Sequence, residues 1–133
     1  MRTCYLDASA LVKLATPEAE TDALRAALET FDARVTNRPA TVEVARAVLR
    51  RGADTAALVA DVSEAFSGLA IAELDPAIAE SASRLGPPAL RSLDAIHLAS
   101  ALALGEELDV FVTYDARLAD AARAVGLEVI APA

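Results

Sequence analysis

Five short β-rich runs set between helical patterns narrow the folds open to this chain more than any other feature. They lie at Thr3 to Leu6, Arg34 to Thr36, Ala70 to Leu74, Val110 to Thr113 and Leu127 to Ile130. The apolar spacing between them predicts helices over Ser9 to Ala15, Pro17 to Phe31, Thr41 to Arg51, Thr55 to Ser67, Pro76 to Leu85, Leu93 to Leu104 and Ala116 to Val125. Pro17, with Glu18 and Glu20 after it, reads as a first helical turn, since proline needs no amide partner there and carboxylates complement the positive helix end. Gly105 and Gly126 suit helix C-caps. Strands alternating with helices predict an α/β fold with a parallel sheet covered on both faces by right-handed crossovers. Ligands of such sheets bind beyond the carboxyl ends of the strands, near the point where strand order reverses.

Pro and Gly fall singly or in pairs, nothing repeats and no stretch has linker composition, so residues 1–133 read as one domain. A chain of this length buries roughly two thirds of the surface its unfolded form exposes. It needs neither metal nor disulfide for its core, and a metal would serve chemistry. At 55% hydrophobic residues the chain is not of the disordered class. The lone cysteine, Cys4, sits in the apolar run Cys4-Tyr5-Leu6, where it packs as a small hydrophobe and suits a reducing compartment. The most apolar helical stretch, Ala95 to Leu104, is far shorter than the ~20 residues of a membrane span. With no basic region leading into a long apolar one at the N-terminus, the expectation is a soluble, cytoplasmic protein.

Four carboxylates occupy the positions where such a fold places chemistry. Asp7 directly follows the first strand, and Asp115 follows the fourth in the run Val110-Phe111-Val112-Thr113-Tyr114-Asp115. Either one alone reads equally as an N-cap of the helix after it. Together, in a parallel sheet, they stand at one end, where like charges repel unless a cation lies between them. Glu43 lies between two valines near the start of the third helix, where Thr41 or Asn37 as a cap would make it a first-turn residue complementing the helix dipole. Asp94 shares an otherwise apolar helix face with His97 and Ala101, so its charge needs a positive partner.

Oxygen ligands around an open polar pocket suit hard divalent cations, here Mg²⁺ or Mn²⁺. Such ions bridge a phosphodiester and acidify an attacking water, which points to phosphodiester hydrolysis. His97 is the only histidine, which excludes a histidine-based zinc site, and it reads as a satisfied helix histidine. Lys13, the only lysine, reads as a snorkelling surface residue. Arg38, Arg46, Arg50 and Arg51 could meet phosphates, or form a solvated face. The net charge of −8 opposes nucleic-acid binding, but two bound divalent cations would halve it.

The stretches YLDASALVKL, TVEVARAVLR, LRSLDAIHLASAL and FVTYDARLADAARAVGLEVIAP, in that order, resemble the PIN-domain ribonucleases, and among them the VapC-type toxins of bacterial toxin-antitoxin pairs. The resemblance spans nearly the whole chain. It implies a three-layer α/β/α fold with a central five-stranded parallel sheet, and endonucleolytic cleavage of RNA. It further implies a small antitoxin that wraps the toxin, and homodimers. Asp7, Glu43 and Asp94 would hold the principal metal, and Asp115 would bind or orient a second metal or its waters. Ser9 and Thr113 match polar positions common in the family and would orient a carboxylate or a metal water.

Two other readings compete. A haloacid-dehalogenase pattern wants a second Asp two positions after the first, where this chain has Ser9, and a late lysine, which it lacks. A catalytically silent PIN-like binding module, acting through a protein partner, fits the alanine- and leucine-rich helices.

Overall fold

The computed structural model describes residues 1–133. Its strands are β1 (Thr3–Leu6), β2 (Ala33–Asn37), β3 (Ala70–Ala72), β4 (Val110–Val112) and β5 (Val129–Ile130). Its helices are α1 (Ala8–Ala15), α2 (Thr21–Leu28), α3 (Arg38–Arg50), α4 (Thr55–Phe66), α5 (Pro76–Arg84), α6 (Ser92–Leu102) and α7 (Ala116–Ala124). All strand pairs are parallel, in the order β3-β2-β1-β4-β5. The chain moves outward from β1 through β2 to β3, then returns to the other side of β1 to lay down β4 and β5. Strand order therefore reverses between β1 and β4, where Leu6 pairs with Val112. In an open parallel sheet this is where a ligand crevice forms, and Asp7 and Asp115 follow those two strands.

Alternation along the strands divides the core in two. Cys4, Leu6, Val110 and Val112 face one side and pack with residues of α1 to α4, while Tyr5 and Phe111 face the other and pack with Leu98 of α6 and Leu118, Ala121 and Ala122 of α7. Helix α5 lies on α6 through Ala82, Ala95 and Ala99, whose small side chains permit close approach. Tyr5 and Phe111 stack with ring centroids 5.5 Å apart. Burial pushes the Cys4 thiol up to about 11, so this cysteine is a packing residue. No helix is long and apolar enough to cross a membrane.

Two local expectations change. The helix read from Pro17 begins only at Thr21, because residues 17–20 form a clamp. Lys13 Nζ binds Glu18 at 2.6 Å and Glu20 at 3.1 Å, and the Thr21 hydroxyl accepts from the Glu18 amide and donates to the Lys13 carbonyl. Lys13 is thus a half-buried fastener, not a snorkelling lysine. The third helix begins at Arg38, capped by Asn37, whose Oδ1 accepts from Ala40 N at 2.9 Å while its Nδ2 donates to Ser100 Oγ at 3.3 Å. Glu43 consequently lies in the second turn, beyond the reach of the helix dipole. Asn37 is buried and fixes α3 both to its own first turn and to α6. Asn37→Ala should therefore cost about 1–2 kcal/mol of unfolding free energy. Urea denaturation would show it as a lower midpoint at unchanged slope, and a shift of only a few tenths of a kcal/mol would mean that the cap does not hold the helix.

Candidate active site

The acidic edge is built from four elements. Asp7 ends β1 and caps α1, its Oδ1 accepting from Ala10 N at 3.0 Å. The Ser9 hydroxyl donates to the same carboxylate at 2.7 and 2.9 Å, and Thr113 donates to Oδ2 at 2.5 Å. Ser9 Oγ accepts in turn from Tyr114 N at 2.9 Å, and Thr113 Oγ1 from Asp115 N at 3.1 Å. Both hydroxyls thus couple Asp7 to the end of β4. Capping leaves room for a functional role here, since the cap uses Oδ1 alone. Asp7 is 3% exposed, and burial raises its pKa against the lowering effect of these donors. Each oxygen of the carboxylate thus receives two contacts, Oδ1 from Ala10 N and Ser9 and Oδ2 from Thr113 and Ser9.

Asp94 lies in the first turn of α6, and Asp115 caps α7, its Oδ1 accepting from Leu118 N at 3.0 Å. The Arg91 guanidinium links them, 3.4 Å from Asp94 Oδ2 and 3.3 Å from Asp115 Oδ2. Burial raises the Asp94 pKa, the Asp115 charge raises it further, and Arg91 opposes both. The positive partner that Asp94 requires is thus Arg91, three residues earlier, which the sequence reading passed over. An arginine at i−3 to a helix-start carboxylate is the signal that could have found it.

Glu43 is held differently. Its Oε1 lies 2.8 Å from His97 Nε2, and His97 Nδ1 lies 2.8 Å from the Tyr5 hydroxyl. With Glu43 ionised, Nε2 carries the donated proton, Nδ1 accepts, and Tyr5 donates. His97 is 1% exposed and Tyr5 is fully buried. His97 is a satisfied helix histidine, as read, but what satisfies it is a site carboxylate.

The donor set suits a hard divalent cation, since it consists of carboxylate and hydroxyl oxygens. Arg91 already stands as a cation shared by two of the acids. No three of the Asp, Glu, His and Cys side chains converge on one point: Asp7 and Glu43 each keep partners of their own beside the Arg91-linked pair. Of the other arginines, Arg38 pairs with Glu73 at the surface, Arg51 pairs with Glu18, and Arg46 and Arg50 are exposed.

Comparison with known proteins gives the family and supports the fold. The family model of the PIN domain matches residues 4–124. Ribonuclease VapC46 of Mycobacterium tuberculosis is 45% identical over 132 residues, covering 99% of both chains. Ribonuclease VapC35 of the same species is 43% identical, covering 96% of each. Among solved structures, the M. tuberculosis toxin VapC20, described as cleaving the sarcin–ricin loop, superposes with a TM-score of 0.75 at 16% identity, over 97% of this chain and 99% of the other. VapBC2 of Rickettsia felis, bound to a promoter DNA fragment, gives 0.75 at 14% identity over 98% and 99%. At those identities the structures speak for the fold.

Burial of an ionised Asp7 should cost the metal-free protein stability. Asparagine caps helices as well as aspartate, so Asp7→Asn keeps the cap and removes the charge. The Asn Nδ2 cannot accept the Thr113 proton that Oδ2 accepts, so the charge is read from how the stability difference between the two proteins changes with pH, not from its size at one pH. Because the folded-state pKa of Asp7 lies above the ordinary 3.8, the native fold binds this proton more readily than the unfolded chain does. The native chain therefore gains stability relative to Asp7→Asn as pH falls from about 8 toward about 4. Thermal melts of both proteins across this range check it, and a pH-independent difference would remove the charge from the account.

Proposed function

The chain belongs to the PIN-domain family of VapC-type ribonucleases, and from that premise we propose that it hydrolyses RNA at a Mg²⁺ or Mn²⁺ centre held by Asp7, Glu43, Asp94 and Asp115. The observation that carries the reading is the placement of Asp7 and Asp115 just beyond β1 and β4, where strand order reverses, with Asp94 joined to Asp115 through Arg91 and the pKa values of Asp7 and Asp94 raised by burial. Carboxylates so placed are costly unless a cation joins them. When bound, such an ion supplies positive charge to the phosphodiester oxygens and acidifies water.

The chain's own groups prepare the site. Ser9, Thr113 and the Ala10 amide orient Asp7 so that its carboxylate cannot swing away from the crevice. His97, anchored by Tyr5, turns Oε1 of Glu43 inward and leaves Oε2 for a ligand. The Leu118 amide fixes one oxygen of Asp115. Such supporting bonds set the geometry of metal ligands and tune their basicity. A small antitoxin and a second copy of the chain are the proposed protein partners, as the likeness to VapC-named ribonucleases implies; solved neighbours of the same fold include FitAB bound to a DNA fragment.

Two measurements test the reading. Asp94→Asn should lower RNA cleavage by at least about a hundredfold while leaving circular dichroism and the melting midpoint near native; equal cleavage removes Asp94 from the mechanism. Millimolar Mn²⁺ should raise the melting temperature of the metal-free native protein by several degrees, since a ligand at a hundred times its Kd adds about 2.7 kcal/mol. No shift in the native chain would favour the catalytically silent binding module instead.

A further inference from the structure

We propose that the cavity between the segment preceding α6 and the exposed side of α7 is the subsite for one RNA nucleotide flanking the scissile phosphate, with Arg117 and Arg91 as its phosphate contacts. This rests on the metal-nuclease reading above and extends it to the substrate. The cavity measures about 490 Å³ and is lined by Leu90, Arg91, Arg117, Asp120, Ala121 and Ala124, among others. Asp94 also forms part of its wall, so whatever binds there lies against the acidic centre. Small-molecule sites typically span about 300–1,000 Å³, which accommodates a base and its ribose.

The lining has the chemistry of a nucleotide site. Leu90, Ala121 and Ala124 offer an apolar wall to a base face, and a guanidinium plane can stack on the other face. Asp120 accepts only, which suits a base N–H or a ribose 2′-hydroxyl. Arg117 is the telling residue. It stands exposed in the first turn of α7, where the positive end of the helix disfavours a cation, and it takes part in none of the chain's ion pairs. No ion pair of the fold engages the guanidinium, which leaves it to meet a phosphate in the cavity.

Arg91 completes the site. Its contacts to Asp94 and Asp115 are long, at 3.4 and 3.3 Å, and its side chain is 70% exposed, so it is loosely held. A divalent cation held by those carboxylates would supply the compensation that Arg91 now provides and would free the guanidinium for a phosphate. The wall then sets two guanidiniums against Asp120, which suits an anionic strand.

The test measures the anisotropy of a fluorescein-labelled, short, random-sequence phosphorothioate RNA titrated with the full-length protein in Mn²⁺. Arg117→Ala should weaken binding about tenfold and lower the salt slope by about one ion. Ala124→Phe, which fills the cavity without removing a charge, should weaken binding by a similar factor with the salt slope unchanged. Arg84→Ala, an exposed arginine on α5 paired with Glu80, should change neither. Calorimetric Mn²⁺ affinity should be native in all three. Native RNA affinity in both Arg117→Ala and Ala124→Phe overturns the subsite, as does an equal loss in Arg84→Ala. A native chain that binds no Mn²⁺ overturns the metal reading first, and the subsite falls with it; Mn²⁺ binding with RNA affinity unmoved by the variants overturns the subsite alone.

Discussion

The structure turns on a carboxylate buried where strand order reverses. Asp7 closes β1, caps α1 and accepts hydroxyl protons from Ser9 and Thr113, so one side chain joins the central strand, the first helix and the end of β4. Moving it would cost the cap and leave two hydroxyls and an amide without their acceptor, at about 1–3 kcal/mol for each buried polar group stranded. The crevice is rigid for that reason. Its rigidity comes from hydrogen bonds to an ionisable group, which is a poor way to stabilise a fold and a good way to fix the direction of a ligand.

The other acids inherit the resulting charge problem, and the chain answers it locally. Asp94 and Asp115 share Arg91, while Glu43 leans on His97. The two answers differ in permanence. Arg91 is exposed and joined by long contacts, so a stronger cation can displace it at little cost. His97 is buried and bonded at both nitrogens, so Glu43 keeps its neighbour whatever else enters the crevice.

Sequence pattern revealed the elements and their order well, because apolar period and Gly punctuation are local signals. Thr3–Leu6 and the helix from Thr55 lie where the pattern puts them. The pattern erred where tertiary contacts override local preference. Pro17, Glu18 and Glu20 look like a helix start, yet both carboxylates are drawn to Lys13, and the helix waits for Thr21. Asp7, Glu43, Asp94 and Asp115 were legible as candidates because each sits at a strand end or early in a helix. What joins them was less legible: Arg91 and His97 act across 24 and 54 residues of chain respectively, and no periodicity carries that information. The sequence reading weighed the arginines of α3 as phosphate contacts, but Arg38 is paired with Glu73, and the arginines beside the acids are Arg91 and Arg117.

The chain Tyr5–His97–Glu43 explains why a single histidine matters in a site made of oxygen ligands. Tyr5 belongs to β1, two residues before Asp7, and stacks on Phe111 of the neighbouring strand β4. Through His97 it carries the position of the sheet to α6, and through Glu43 to α3. Strand β1 therefore places two of the four acids, Asp7 directly and Glu43 through two hydrogen bonds. Because side chains alternate along a strand, Tyr5 and Asp7, two residues apart, leave it on the same side, and Leu6 between them packs on the other. A hydrophobic replacement of His97 could fill the volume, yet it would uncouple α3 from the strand and leave the Tyr5 hydroxyl buried without this acceptor. The placement of Asp7 and Glu43 is thus tied to β1, the buried central strand of the sheet, whereas Asp94 and Asp115 take theirs from α6, α7 and the Arg91 contact between them.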